Sequence, residues 1–346
     1  MKKVIYAILK PVIRTAFQCY YQRISFKGMG GIPADKPVVL LPNHQNALLD
    51  PLLYAAFARA RKPYFLTRSD VFQGGLLEAF FDAMRMIPIY RWRDGRHTLR
   101  RNDAVFDRCA ELLSQGEHLL LFPEANHNLR RQVRPLSKGF TRIVARAMEC
   151  YPDLDLQLVP VGINYQDAAG FPDRVTYVFG TPIAARELWE GLDEAQAAAV
   201  VKQRIFEALT TLTTHADPDR EYEAQILPLE EQGADFNHPE EVNAYLKGAT
   251  RDFPRRSKGT GLLHRLWDGL FRLLNAPVVL PWGWVARNKV WEPEFMSTFR
   301  FGFAFLVYPL YYLALLLLLG WLAGWATAGV AVAFLIAFNL LYVKGR

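Results

Sequence analysis

Cysteine is scarce in this chain of 346 residues, which carries only Cys19, Cys109 and Cys150. The number is odd and no spacing pairs them, which excludes a disulfide framework and points to a reducing compartment. No cluster of His, Cys, Asp and Glu has the spacing of a known metal site, so no metal is expected, at His127 or elsewhere. Internal repeats, low-complexity tracts and nucleic-acid modules are missing too, and nucleic acid is not expected as a partner. Ser137, in Pro135-Leu136-Ser137-Lys138-Gly139, lacks the first glycine of a nucleophile elbow and is not expected to attack anything. The N-terminus does not read as a secretory signal, because Lys10 cuts its apolar stretch and no small-residue cleavage site follows.

Charge is lacking altogether from Phe301 to Leu322 and from Trp325 to Val343. Each stretch is near the length of about 20 residues that spans a bilayer, and together they predict a transmembrane helical hairpin over 301–346. Trp321 and Trp325 flank its turn, Arg287, Lys289 and Arg300 precede it, and Lys344 and Arg346 follow, so both ends and the rest of the chain are expected on the cytoplasmic side. A buried or re-entrant hairpin is the competing reading, since Tyr308, Pro309, Tyr311 and Tyr312 make the first run less lipid-like. Two further segments mix apolar and cationic residues. Residues 1–28 predict an interfacial helix broken at Pro11, and residues 259–300 an amphipathic segment before the spans. Residues 215–258 are acid-rich and read as a helical linker or insertion. The net charge of +7 favours anionic partners: lipid, a phosphorylated acceptor or an acidic acyl donor.

Residues 29–214 carry the chemistry. Four apolar, strand-like runs end in polar residues: Val38 to Leu41 before Asn43 and His44, Met86 to Tyr90 before Arg91, His118 to Pro123 before Glu124, and Leu156 to Val161 before Gly162 and Asn164. Helical patterns alternate with them, Leu52 to Arg61, Thr98 to Gln115 and Phe140 to Cys150, which predicts an α/β domain with a mixed, largely parallel sheet covered on both faces. In such sheets ligands bind at the carboxyl ends of strands, where His44, Arg91 and Glu124 all fall. His44 is a candidate base and Asp50 the carboxylate that would fix its tautomer. The two can meet only if the segment between them bends. Pro51 supplies a reason, and the same Asp-Pro pair alternatively reads as a helix start with Asp50 as the cap.

The block Asn43-His44 with Asp50, the block Ile87-Pro88-Ile89-Tyr90-Arg91, the block Phe122-Pro123-Glu124 and the block Val159-Pro160-Val161 resemble, in order and interval, the four motifs of the glycerophospholipid acyltransferases, the lysophosphatidic acid acyltransferase superfamily. The likeness covers roughly residues 20–185. Five residues separate His44 from Asp50, where most of the family has four; the longer spacing occurs in some glycerol-3-phosphate and dihydroxyacetone-phosphate acyltransferases. Ala125 stands where the third block usually continues with glycine.

The resemblance implies an O-acyltransferase without a cofactor, taking acyl-CoA or an acyl carrier protein thioester as co-substrate and lysophosphatidic acid as first acceptor. Glycerol-3-phosphate comes second, and an amino-acid-derived lysolipid is a further alternative. It implies His44 as general base oriented by Asp50, Arg91 on the acceptor phosphate, and Glu124 on the acceptor or on Arg91, with Asn43 beside them. Lys138 is expected in an anion-binding loop ahead of a helix. A lipid-binding scaffold on a degenerate acyltransferase fold is the alternative outside enzymology.

Overall fold

In the computed structural model the described residues are 2–58, 62–69, 84–90, 101–256 and 261–346. Their elements, in chain order, are α1 (Lys2–Tyr20), β1 (Arg23–Lys27), β2 (Val38–Pro42), α2 (Leu49–Phe57), β3 (Tyr64–Arg68), β4 (Met86–Ile89), α3 (Arg101–Ser114), β5 (His118–Leu120), α4 (Gly139–Cys150), β6 (Gln157–Tyr165), β7 (Arg174–Phe179), β8 (Ile183–Ala184), α5 (Glu194–Leu212), α6 (Tyr222–Glu231), α7 (Pro239–Leu246), α8 (Leu262–Leu274), α9 (Ala276–Lys289), α10 (Met296–Ala323) and α11 (Trp325–Gly345).

The strands form one mixed, mostly parallel sheet in the order β1-β7-β6-β2-β5-β3-β4, with β8 antiparallel to β6 and β7 antiparallel to β6. Alternation along β2 explains how two layers of helix share it. Val38 and Leu40 face a core with Phe17, Leu49 and Leu53 from α1 and α2. Val39 and Leu41 face the other core, with Cys109, Leu112, Phe140, Ile143 and Val201 from α3, α4 and α5. All nine residues of β6 are buried, as expected for a strand covered on both faces. At Gly162 a Cβ would stand 2.0 Å from the Leu212 carbonyl oxygen, so the end of α5 lies directly on the strand backbone and only glycine fits. Helix α5 starts with a reciprocal cap: the Asp193 carboxylate accepts the Gln196 N–H at 2.8 Å and the Gln196 amide oxygen accepts the Asp193 N–H at 3.2 Å.

The N-terminal segment differs from expectation in two ways. Helix α1 runs unbroken through Pro11, and residues 23–27 are not a membrane-facing tail but strand β1, paired in parallel with β7. The reason is burial of the helix's second half. Phe17 is fully buried and stacks on Phe301 of α10 at 4.3 Å, and Tyr20 and Tyr21 join the same core. Ile8 and Val12 stay exposed.

Residues 215–256 are a packed insertion rather than an open linker. Ile226, Leu229, Phe236, Val242 and Phe253 make a small core of their own. The Gln166 side chain donates to the Ala234 carbonyl at 2.8 Å and accepts the Phe236 N–H at 3.1 Å, and Arg174 pairs with Asp235 at 3.2 Å. The acid-rich surface hides this core from a reading of composition.

Helices α10 and α11 are long and apolar enough to cross a membrane; the most apolar window of the first has no residue buried inside the fold. Gly324, at φ 87°, makes the turn between them. Helix α8 presents Leu262, Leu263, Leu266 and Leu273 outward, while Phe271 packs on Tyr342 of α11 with rings 3.9 Å apart. A buried amide pair, Asn275 and Asn339, is joined by two hydrogen bonds of 2.8 and 2.9 Å, and Asn339 also donates to the Tyr312 hydroxyl. Unpaired amides in that setting would cost several kcal/mol each, about 2–7 by transfer, so the knot holds α8–α9, α10 and α11 in one register.

Candidate active site

The site begins where β2 stops. Past Pro42 the chain leaves the sheet and folds back through Gln45 to Leu48 before α2 starts at Leu49. Ala47 has φ 21°, which marks the sharpness of the bend. Asp50 therefore lies inside the first turn of α2 and does not cap it. Its carboxylate reaches backward: Oδ2 accepts the N–H groups of Gln45 and Asn46 at 3.0 and 2.9 Å and the His44 Nδ1 at 2.8 Å. Oδ1 accepts the Tyr165 hydroxyl at 2.7 Å, and the Tyr177 hydroxyl donates to the Asp50 carbonyl at the same distance. Asp50 is fully buried, so four donors replace its lost hydration.

With Nδ1 donating to Asp50, the lone pair of His44 is on Nε2, the tautomer a general base needs. The ring is clamped by Phe122, stacked at 3.7 Å and 14°. Its backbone carbonyl accepts the Asn128 N–H at 3.0 Å, tying the loop after β2 to the loop after β5. Asn43 is a strut. Its amide oxygen accepts the Ile163 N–H at 2.6 Å and its NH₂ donates to the Ile163 carbonyl at 3.1 Å, which fixes the end of β2 against β6.

Glu124 comes from the neighbouring strand end and lines the same small polar pocket as His44, Asn43 and Asn164. Its observed partner is Arg134, whose Nε donates to Oε2 at 2.8 Å; Arg134 also holds the Asn126 carbonyl. Burial pushes the Glu124 carboxyl up to about 7, with Arg134 pulling against it. Ala125 follows at φ 64°, in the left-handed region that a glycine enters freely. The alanine keeps the glycine-type turn at this position.

Lys138 is the residue before α4, and its side chain is exposed. The adjoining Ser137 N–H donates to the Pro123 carbonyl at 2.7 Å, so this loop is pinned beside the Glu124 turn. Arg91 lies outside the described residues. Its neighbour Tyr90 is held by Asn102, which bonds both Tyr90 backbone groups at 2.9 and 2.7 Å at the end of β4.

The structure brings in Tyr165 and Arg68, which the sequence did not single out, and sets His127 beside His44. Tyr165, at the end of β6, is the buried donor behind Asp50; burial, and next the Asp50 charge, hold its phenol well above its usual range. Arg68 ends β3, and its charge acts on His127. His127 meets His44 edge-on at 5.6 Å and Phe295, just before α10, at 4.8 Å. The segment leading into the apolar hairpin thus forms one wall of the site. Ser297 donates to the Ala168 carbonyl at 2.7 Å, and the Asn46 side chain donates to that same carbonyl at 2.9 Å.

Comparison with known proteins gives matches to acyltransferases over part of the chain. Residues 23–164 match the Acyltransferase family model. An uncharacterized acyltransferase of Schizosaccharomyces pombe is 31% identical over 121 residues, 34% of this chain and 18% of that protein. Glycerol-3-phosphate O-acyltransferase 1 of Saccharomyces cerevisiae is 32% identical over 79 residues, 23% of this chain and 10% of that protein. A 1-acyl-sn-glycerol-3-phosphate acyltransferase of Chlamydomonas reinhardtii is 28% identical over 201 residues, 55% of this chain and 54% of that protein. The chain spans between 10% and 54% of the length of these relatives. Among solved structures, the 1-acyl-sn-glycerophosphate acyltransferase of Thermotoga maritima aligns with a TM-score of 0.42 at 17% identity, over 60% of this chain and 80% of that one. Residues 23–164 thus form an acyltransferase domain similar to those of glycerol-3-phosphate and 1-acylglycerol-3-phosphate acyltransferases.

Proposed function

We propose that the chain is a membrane-anchored O-acyltransferase that moves a fatty acyl group from a thioester donor to the hydroxyl of a phosphorylated glycerolipid acceptor, lysophosphatidic acid first. The observation that carries this reading is the His44–Asp50 contact of 2.8 Å, with Asp50 held by two backbone N–H groups and Tyr165. His44 Nε2 takes the proton of the acceptor hydroxyl, and the oxygen attacks the thioester carbonyl. As the tetrahedral intermediate collapses, the C–S bond breaks and His44 returns the proton to the leaving thiolate. Asp50 stabilises the imidazolium between these two transfers. No acyl-enzyme forms. The curated relatives' acceptors, glycerol-3-phosphate and 1-acylglycerol-3-phosphate, support a glycerophosphate acceptor for this chain. Glycerol-3-phosphate stays as the second reading because five residues separate His44 from Asp50.

In the same reading, α10 and α11 cross the bilayer with the catalytic unit on the cytoplasmic side. Both ends of the hairpin lie against the catalytic body: Lys344 donates to the Tyr21 carbonyl at 2.8 Å, and Arg300 donates to the Gly170 carbonyl at 2.7 Å. The cations gather at that end, and the tip carries the exposed Trp321 and Trp325.

The test is acyl transfer by detergent-purified protein, with palmitoyl thioesters of coenzyme A and of acyl carrier protein against lysophosphatidic acid, glycerol-3-phosphate and zwitterionic lysolipids. Transfer to a phosphorylated acceptor that falls by at least about 10²-fold in His44→Ala is the expected result. Unchanged transfer in that variant, or lysolipid binding without transfer, would overturn it.

A further inference from the structure

His127 does nothing in the mechanism above, yet it is set against the catalytic histidine. Its Nδ1 is buried and has no hydrogen-bond partner among the described residues. Across from it, Glu292 and Glu294 arrive from a segment 165 positions later in the chain, at the foot of α10. One ligand atom from each of the three residues falls within 4.8 Å of the others. Glu292 is exposed and Glu294 half-buried, so the two carboxylates concentrate negative charge beside the imidazole while the cluster stays open to solvent. The unpartnered ring nitrogen is free to ligate, and the imidazole is faced by Arg68 and His44 from the side of the sheet and by the two glutamates from the side of the hairpin.

We propose that His127, Glu292 and Glu294 form a binding site for a divalent first-row cation beside the catalytic dyad. One imidazole and two carboxylates suit ions that accept both nitrogen and oxygen donors, Mn²⁺ among them, and three protein ligands leave coordination positions open. The chain spacing hides such a site from motif reading, because two elements far apart in sequence must first be packed together. The packing is provided by Phe295, whose ring meets His127 at 4.8 Å, and by Ser297, bonded to the Ala168 carbonyl. The consequence for activity rests on the acyl-transfer reading: the open positions accept phosphate oxygens of the acceptor and hold its hydroxyl near His44. Binding of the ion does not depend on that reading.

The experiment is titration of the detergent-purified full-length protein with Mn²⁺, followed by electron paramagnetic resonance of the free ion. One bound Mn²⁺ per chain is expected in the parent protein and equally in His44→Ala, which separates the cation site from catalysis. The double variant Glu292→Gln/Glu294→Gln, and independently His127→Gln, weaken binding by more than about 100-fold, beyond the roughly 10–100-fold typical of an outer contact. Glu294→Asp retains binding. Should either glutamine variant fail to fold, the other decides. Absence of a bound ion in the parent, or equal binding in the variants, overturns the site. A parent that binds Mn²⁺ but transfers no acyl chain would leave the site standing and overturn the enzymatic reading instead.

Discussion

Replacing Tyr165 with phenylalanine deletes one oxygen atom and leaves the ring that packs β6 into the core. That oxygen donates to Asp50 Oδ1 at 2.7 Å in a fully buried setting. A hydrogen bond to a charged acceptor contributes about 1.5–3 kcal/mol, and the loss should appear in stability at any pH where Asp50 is ionised. If it is expressed fully in the transition state, it amounts to about one to two orders of magnitude in kcat/KM, which is an upper bound. KM for the acyl donor should stay put. The assay is a double-mutant cycle with Asp50→Ala, reading kcat/KM for transfer to lysophosphatidic acid. Tyr165→Phe should cost activity in the parent and almost nothing once Asp50 is gone. Equal costs in both backgrounds would refute the claim that Tyr165 acts through Asp50.

Glu124 has a folded-state value of about 7 against an ordinary 4.5, so the folded protein binds its proton more tightly than the unfolded chain does. Stability from this group is complete below about pH 4.5 and is lost as pH rises through 7. The loss is on the order of 3 kcal/mol, and Glu124→Gln should abolish it; thermal unfolding of both proteins from pH 4.5 to 8 checks the difference. Ala125 holds φ 64°, where a Cβ costs about 1–2 kcal/mol, so Ala125→Gly should raise the unfolding midpoint at neutral pH. A lower midpoint would mean that the methyl group is held by contacts that outweigh its strain.

The strand ends were legible because each joins an apolar run to a polar residue, and that junction is local in sequence. His44, Asp50 and Glu124 were found this way, and they share one strand-end cleft. Tyr165 carries no such mark. It ends a strand buried on both faces, and along the chain its ring is indistinguishable from a core aromatic such as Tyr177. Strand β1 was hidden for a different reason. Its parallel partner β7 lies about 150 positions away, and a cationic, apolar segment reads alike whether it faces lipid or pairs with a strand. Pro11 signalled a break that packing overrides, since the buried Phe17, Tyr20 and Tyr21 hold the later turns of α1 in place. The insertion at 215–256 was obscured by its acidic surface, because its own core needs few apolar residues.

The link between hairpin and dyad bears on why an enzyme of this kind would be anchored at all. Two groups share the Ala168 carbonyl: Asn46, in the bend that aims Asp50 at His44, and Ser297, in the first turns of α10. Phe301, one turn further along α10, stacks on Phe17, which also packs among the residues beneath α2. The bend after β2 and the foot of the apolar hairpin are therefore fixed to the same few atoms. A hairpin inserted in a bilayer sets the depth of its own foot through the length of its apolar stretch. In the proposed anchored reading, these contacts would also set the height of His44 above the lipid surface. An acceptor whose chain stays in the bilayer presents its hydroxyl at a fixed depth, so such an anchor would remove a search that a free enzyme repeats at every turnover. Cutting the shared carbonyl's contacts with Ser297→Ala should accordingly weaken transfer to a membrane-embedded lysolipid more than transfer to water-soluble glycerol-3-phosphate, in vesicles where both acceptors are present. Equal losses for the two acceptors would mean that the contact serves only the fold.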